Sequence, residues 1–193
     1  MSYWPNRFTA VIDTNVLLSN LSRNILLSLA EAGLYRPRWS QATFEREFGH
    51  HFLRLRPGQE AAFSRLRQAM ERAFPEALAI EDEQVMGSLT LPDQDDRHVL
   101  AAAIQTSAGV IVTRNLKDFP SDILAQHNVE SKSDDDFISD CIDMSPLQAV
   151  LALKTMRERF KQPEVVADGL LLRMEQVGLP QAAAMLAPFK ELL

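Results

Sequence analysis

The sequence has almost none of the residues that build disulfide-bonded or zinc-binding proteins. It contains one cysteine, Cys141, and four histidines in 193 residues. A single cysteine excludes an internal disulfide and is typical of proteins in a reducing compartment. We expect Cys141 to be buried rather than reactive. The histidines do not follow the spacing of zinc ligands, so the sequence indicates no zinc site.

Long apolar runs are also missing. No stretch is long and uncharged enough to cross a membrane. The first residues lack the order of a basic segment followed by an apolar one that marks a secretory signal. Together with the single cysteine, these absences predict a cytoplasmic protein without a membrane segment.

Basic residues are fewer than acidic ones, 20 against 26, and the formal net charge is -6. This balance argues weakly against nucleic-acid binding driven by the overall charge of the protein. It does not exclude a nuclease, because an acidic metal pocket would contribute much of the charge and arginines can act locally. Hydrophobic residues make up 46% of the chain and charged residues 24%, which predicts a globular protein with a real core.

Apolar strand patterns alternate with helical patterns over the first 140 residues. The predicted strands cover residues 8–12, 34–38, 109–113 and 129–131. The predicted helices cover residues 16–32, 40–55, 59–74, 96–108 and 120–126, with an acidic connector at 80–91. This alternation predicts an α/β fold with a mostly parallel sheet flanked by helices. From residue 145 onwards the pattern is helical, so we expect an α/β domain at 1–140 and a helical extension at 141–193.

Acidic residues occur where predicted strands end or predicted helices begin. Asp13 follows the apolar run of the first strand, where ligands bind in α/β proteins. The other polar groups are Glu45 and Glu47, then Asp93, Asp95 and Asp96, then Asn115 and Asp118. Carboxylates gathered at one sheet edge repel each other, and a cation would relieve that repulsion. Oxygen ligands favour Mg²⁺ or Mn²⁺, so the pattern predicts metal-assisted phosphodiester chemistry.

Each acidic group also has a purely structural interpretation. Asp13 is a good helix N-cap, and acids before a helix stabilise its dipole. Glu45 and Glu47 fit ordinary solvated charges on a helix, and Asn115 fits a turn after a strand.

Four segments resemble the motifs of PIN domains. They are AVIDTN at 10–15, WS at 39–40 with a following helix that carries a Glu-Phe pair, LPDQDDRHVLAAA at 91–103, and VTRNLKDFP at 112–120. PIN domains are metal-dependent ribonucleases, and many are toxins of VapC-type toxin–antitoxin pairs. The resemblance implies a PIN-like three-layer fold over most of residues 8–137, and the helical extension lies outside it.

The resemblance also implies roles for individual residues. It gives the catalytic and metal-binding acids as Asp13, Glu47, Asp96 and Asp118, with support from Asn15, Asp93, Thr113 and Asn115. It further implies Mg²⁺ or Mn²⁺ as cofactor, RNA as substrate, a homodimer and an antitoxin partner. Basic residues also cluster near these acids, and together they could hold an RNA backbone, although any one of them also fits ordinary surface charge. The candidates are Arg36, Arg38, Arg97 and Arg114. We expect His98 to be structural rather than catalytic.

The second acidic motif leaves a choice between Glu47 and Glu45. Glu47 is followed directly by Phe48, as in the family, and Phe44 and Phe48 then share a buried stripe. That choice requires one residue more after Ser40 than the usual pattern, whereas Glu45 fits the loop length. Glu47 is the preferred acid, and the number of metal ions, one or two, stays open.

Three functions therefore compete. The first is a metal-dependent endoribonuclease. The second is a PIN-like binding module without activity, which is favoured by Asn115 at a position that is often aspartate in the family. The third is a phosphatase that forms a phosphoaspartate, but Asn15 stands where such an enzyme would have its second acid.

Overall fold

The computed structural model describes residues 8–80, 82–161 and 163–193, and these form two compact units. The sheet unit comprises Phe8–Leu18 and Arg36–Lys132, and the helical unit comprises Ser19–Tyr35 and Ser133–Leu193. Within the described ranges, every helix is too short or too polar to span a bilayer. The predicted domain boundary after residue 140 stays a prediction.

Five parallel strands form the core of the sheet unit. They are β1 (Thr9–Ile12), β2 (Arg36–Ser40), β3 (Leu78–Ala79), β4 (Val110–Val112) and β5 (Glu130–Lys132). Their order is β3-β2-β1-β4-β5, and each neighbouring pair is parallel. The prediction of a mostly parallel sheet is confirmed. Because all the strands run in one direction, their carboxyl ends meet at one edge, with β1 in the centre.

Helices connect these strands and build the helical unit. In chain order they are α1 (Thr14–Leu17), α2 (Asn20–Glu31), a π-helix (Ala42–Phe48), α3 (Gly49–Leu55), α4 (Glu60–Ala73), α5 (Glu83–Ser88), α6 (Arg97–Gln105), a 3-10 helix (Leu116–Asp118), α7 (Ser121–Leu124), a 3-10 helix (Ala125–His127), α8 (Asp134–Met144), α9 (Pro146–Glu158), α10 (Ala167–Gln176), α11 (Pro180–Leu186) and a 3-10 helix (Ala187–Leu192).

Local capping divides segments that the sequence pattern joins. The predicted helix at 16–32 is two helices, because Ser19 is extended and its hydroxyl accepts a hydrogen bond from the Ser22 N–H at 3.4 Å. The connector at 80–91 contains α5, whose first N–H groups bind the Asp82 carboxylate at 2.9 and 3.3 Å. The strand predicted at 34–38 is β2, which begins and ends two residues later in the chain. Its pairing with β1 begins with the hydrogen bond that the Arg36 N–H donates to the Phe8 carbonyl at 3.0 Å.

The helix predicted at 40–55 begins as a π-helix. Ser40 caps it as expected, since its hydroxyl accepts a hydrogen bond from the Thr43 N–H at 2.9 Å. A π-helix has wider turns than an α-helix, and single π-turns act as one-residue insertions. The π-helix therefore accommodates the extra residue between Ser40 and Glu47, and α3 continues from Gly49.

The helical unit has its own buried core. Leu153, Leu170, Met174 and Leu186 are fully buried within it. The Asp135 carboxylate of α8 accepts hydrogen bonds from two backbone N–H groups at the start of α11, at 3.0 and 2.9 Å. Cys141 is fully buried and free of disulfides, which confirms the prediction for the single cysteine.

One helix end in the sheet unit carries backbone strain. After α6, the Ala108 N–H donates a hydrogen bond to the Ala103 carbonyl at 2.8 Å. The Ser107 N–H donates to the Ile104 carbonyl at 3.2 Å. This motif requires a left-handed residue, and Ser107 adopts φ 51°. A left-handed L-residue costs about 1–2 kcal/mol, and glycine avoids this cost.

We expect Ser107→Gly to raise the free energy of unfolding by about 0.5–1 kcal/mol, after the added entropy of the unfolded chain is subtracted. Chemical denaturation measures the change. Ser107→Ala is the control, because it removes the same hydroxyl but keeps the left-handed Cβ. An equal gain in both variants would show that the hydroxyl, and not the backbone strain, limits stability.

Candidate active site

Asp13 lies at the carboxyl end of the central strand, where the sheet register fixes its neighbours. Ile12 pairs with Val112, so Asp13 and Thr113 occupy the same level of adjacent strands. The Asp13 N–H accordingly donates to the Val112 carbonyl at 3.0 Å. On the other side, Val11 pairs with Arg38, which brings the end of β2 to the same edge.

The Asp13 carboxylate is 4% exposed and is held by three donors. Its Oδ1 accepts from the Thr14 N–H at 2.6 Å, and its Oδ2 accepts from Asn15 Nδ2 at 2.6 Å and Thr113 Oγ1 at 2.7 Å. Burial raises the pKa of Asp13, and the hydrogen bonds from Thr113 and Thr14 offset part of that rise. A carboxylate has about four acceptor positions, so Asp13 keeps capacity for a further ligand.

Asn15 ties the end of β1 to the segment after β4. Its Nδ2 lies 3.1 Å from Thr113 Oγ1 in addition to its bond with Asp13. Its Oδ1 accepts the Arg114 N–H at 3.0 Å, and Thr113 Oγ1 accepts the Asn115 N–H at 3.0 Å. Asn15 and Thr113 therefore hold the Asp13 carboxylate in one orientation.

The structure brings Glu47, and not Glu45, to Asp13. Glu47 Oε2 accepts from Thr14 Oγ1 at 2.5 Å, and Glu47 Oε1 lies 2.9 Å from His98 Nε2. Burial alone would raise the pKa of Glu47, but hydrogen bonds from His98 and Thr14 lower it below its ordinary value. Glu45 instead accepts from Gln41 at 2.9 Å and from Arg67 at 3.3 Å on the surface.

His98 holds Glu47 in place, which agrees with the structural role expected from the sequence. It is 6% exposed, and its Nδ1 lies 2.7 Å from the Ser40 hydroxyl. Its two nitrogens therefore connect the end of β2 to Glu47. The one sequence signal was its place on α6, two residues after Asp96, but its partner Ser40 is 58 residues away in the chain.

Asp96 lies at the start of α6, where several other acids surround it. Burial and the negative charges of Asp13, Asp93 and Asp118 raise its pKa to about 7, against a smaller lowering by His98. The Asn115 amide donates a hydrogen bond to Asp118, and Asp93 accepts from the Asp95 N–H at 2.9 Å. Asp95 itself is exposed.

These acids fit a hard divalent cation by their oxygen chemistry and their excess negative charge. Among the described residues, no three acidic, histidine or cysteine side chains form a ready-made metal shell. Mg²⁺ commonly binds through one or two carboxylates and keeps several waters. Asp13 and Asp96 are the best placed to bind it, because Asp13 has acceptor capacity and Asp96 is destabilised by like charges.

The predicted RNA-binding arginines have different surroundings. Arg36 is exposed, and Arg38 lies 3.9 Å from Glu76. Arg97 Nε donates to the Gln94 carbonyl at 2.9 Å, which anchors this side chain beside Asp96. Arg114 follows Thr113 and is exposed. Their contact with RNA stays a prediction.

Comparison with known families explains this arrangement. A family model described as a PIN domain matches residues 9–117, which include Asp13, Glu47 and Asp96. The chain belongs to the PIN domain family. A second model, the VapC50 C-terminal domain, matches residues 135–188, so the helical segment beyond the PIN domain also has known relatives.

One curated relative of this PIN domain protein comes from Mycobacterium tuberculosis (strain ATCC 25618 / H37Rv) and is named "Putative ribonuclease VapC50". It is 40% identical over 90 residues, which cover 46% of this chain and 52% of the relative. The match thus spans about half the length of that protein. No solved structure matches the chain.

The repulsion between Asp96 and its acidic neighbours predicts that the free energy of unfolding depends on pH. Its folded-state pKa of about 7 lies above its ordinary value of 3.8, so the folded protein loses stability as the pH rises from 3.8 towards 7. The Asp96→Asn variant has no ionisable group at this position and therefore does not lose stability in this way. We expect the metal-free variant to be more stable than wild type at pH 8 by about 1 kcal/mol after solvent screening, or about 2–4 °C in Tm.

Thermal melts in EDTA at pH 4 and pH 8 measure this difference. The two proteins should melt within error of each other at pH 4, where the Asp96 carboxyl is protonated in the fold. The control is Asp95→Asn on the same loop, which should show no such pH dependence. An equal gain for Asp96→Asn at both pH values would contradict the repulsion.

Proposed function

We propose that this chain is a metal-dependent endoribonuclease that cleaves RNA phosphodiester bonds in the cytoplasm as the toxin of a toxin–antitoxin pair. The observation that carries this proposal is the electrostatic coupling of Asp13, Asp93, Asp96 and Asp118 beside the central strand. Membership of the PIN domain family and the name of the relative support the same activity.

The proposed metal ligands are Asp13 and Asp96, with Glu47 and Asp118 beside them. A bound Mg²⁺ or Mn²⁺ would supply charge stabilisation at the scissile phosphate and a more acidic attacking water. Asn15 and Thr113 fix the orientation of Asp13 by hydrogen bonds of 2.6 and 2.7 Å. These bonds leave the carboxylate little rotational freedom to lose on binding.

Glu47 and Asp96 differ in how they hold a proton. The pKa of Glu47 is lowered by His98 and Thr14, so its carboxylate stays ionised. The pKa of Asp96 in the metal-free protein is raised to about 7 by burial and by the charges of Asp13, Asp93 and Asp118, so a bound cation would stabilise its ionised form.

RNA, an antitoxin and a second copy of the chain are the proposed partners. Arg97 follows Asp96 and Arg114 follows Thr113 in the chain, and both would contact the RNA beside the cut. The antitoxin and the homodimer follow from the resemblance to VapC-type toxins. Purification together with the product of the neighbouring gene, followed by measurement of the complex mass, tests both.

A binding module without activity is the second candidate. Two observations favour it: Asn115 stands at a position that is often acidic in the family, and the described residues lack a complete three-ligand metal group. Such a module would bind RNA but leave it uncut in the presence of Mg²⁺ or Mn²⁺. A cleavage assay on labelled RNA with added metal and with EDTA separates the two candidates.

The metal site predicts a specific loss of Mn²⁺ binding. We expect Asp96→Asn to weaken the Mn²⁺ affinity at pH 8 by about tenfold or more, because one anionic ligand is removed. Isothermal titration measures it. Asp95→Asn removes the same charge from an exposed neighbour and should leave the affinity within about twofold. Equal weakening in both variants would mean that net charge, and not a ligand, was lost.

The second acidic motif predicts unequal effects of two glutamates. We expect Glu47→Gln to reduce the rate of RNA cleavage by about 100-fold or more, because it removes an ionised carboxylate next to Asp13. Glu45→Gln is the matched control on the same helix and should reduce the rate less than about twofold, because Glu45 binds Arg67 on the surface. If the Glu45 variant were the inactive one, Glu47 would not belong to the catalytic group.

A further inference from the structure

A polar cleft lies in the sheet unit, beside the acidic residues of the candidate active site. Its volume is about 410 Å³, within the range of small-molecule sites and large enough for one nucleobase. Residues of α5, of the π-helix, of the loop at 94–95 and of the start of α6 line it. None of the cleft residues of α5 has a role in the site described above.

The cleft and the acidic group share a wall. His98 lines the cleft, and its Nε2 lies 2.9 Å from Glu47 Oε1. Arg46, which also lines the cleft, precedes Glu47 in the chain. A nucleotide whose phosphate reaches the acids can therefore extend its base into this cleft. RNA nucleases and binders read such unstacked bases through their edges.

The lining offers hydrogen-bond groups of both kinds. Arg46 and Arg97 are donors, and Arg97 is anchored at the cleft by its bond to the Gln94 carbonyl at 2.9 Å. The Glu83 and Asp95 carboxylates are acceptors, and Met86 adds an apolar surface. Guanine presents the matching groups, because N1–H and N2–H donate from one edge while O6 and N7 accept on the other. Adenine, cytosine and uracil each present fewer N–H donors than guanine along an edge that could face a carboxylate.

We infer that this cleft binds an unstacked guanine base of the RNA next to the scissile phosphate. Glu83 accepts from the N1–H and N2–H groups, and Arg46 or Arg97 donates to O6 and N7. This inference rests on the proposed nuclease function and deepens it by naming the base that the site selects.

Gly87 provides a way to fill the cleft. Gly87 lines the cleft, and a Cβ built on it meets no atom within 4 Å, so a larger side chain can be introduced at the cleft wall without a clash at its Cβ. Gly87→Phe is therefore the blocking variant. Gln84→Phe is the matched control, since Gln84 is exposed on the same helix and does not line the cleft. Glu83→Gln tests the carboxylate without changing its size.

The first measurement is an NMR titration with 5′-GMP, 5′-AMP, 5′-CMP and 5′-UMP in EDTA. We expect GMP to bind about tenfold more tightly than the other three, as one bidentate base contact gives. Gly87→Phe should abolish this binding, Gln84→Phe should keep it, and Glu83→Gln should reduce GMP to the level of AMP. Equal affinity for the four nucleotides, or unchanged GMP binding by Gly87→Phe, would overturn the inference.

The second measurement maps cut sites in a random RNA pool. Guanine next to the cut in the wild type, and the loss of this preference in Glu83→Gln, would support the guanine site. Cleavage without guanine preference would overturn the guanine site and leave the nuclease function intact. Selective GMP binding without any cleavage would support the base site and refute the nuclease function.

Discussion

The buried carboxylate of Asp13 is the constraint on which the site depends. Placing a charge that is 4% exposed at the end of a strand is unfavourable unless hydrogen bonds compensate. The compensation comes from Thr14, Asn15 and Thr113, and Thr113 is available because Ile12 pairs with Val112. The register of the central strands and the orientation of the carboxylate are therefore set by the same contacts.

The pKa values of two acids near Asp13 are shifted in opposite directions. Glu47 stays ionised because Thr14 and His98 donate to it, which lowers its pKa. Asp96 has no such support strong enough to outweigh burial and three like charges, and its pKa rises to about 7. Environments that separate the pKa values of nearby carboxylates are typical of acid–base sites. The cost is a metal-free fold that is weakened at neutral pH, which a bound cation would relieve.

Local patterns predicted the parallel sheet and Asp13 at its edge, because an apolar β-branched run that ends in an acid indicates the carboxyl end of a buried strand. The preference for Glu47 came from the Phe44 and Phe48 stripe, and the π-helix explains how the extra residue fits. The break at Ser19 and the helix that begins after Asp82 were missed because side-chain hydrogen bonds to the backbone decide them. The contact of His98 with Ser40 joins distant segments, and no local pattern encodes it.

Anomalous diffraction from crystals grown with Mn²⁺ tests the proposed metal site most directly. We expect a manganese peak at coordination distance from carboxylate oxygens of both Asp13 and Asp96, with the hydrogen bonds of Asn15 and Thr113 to Asp13 retained. Two peaks bridged by Asp13 would extend the site to a second ion. Crystals saturated with Mn²⁺ that show peaks only elsewhere on the protein would contradict the site.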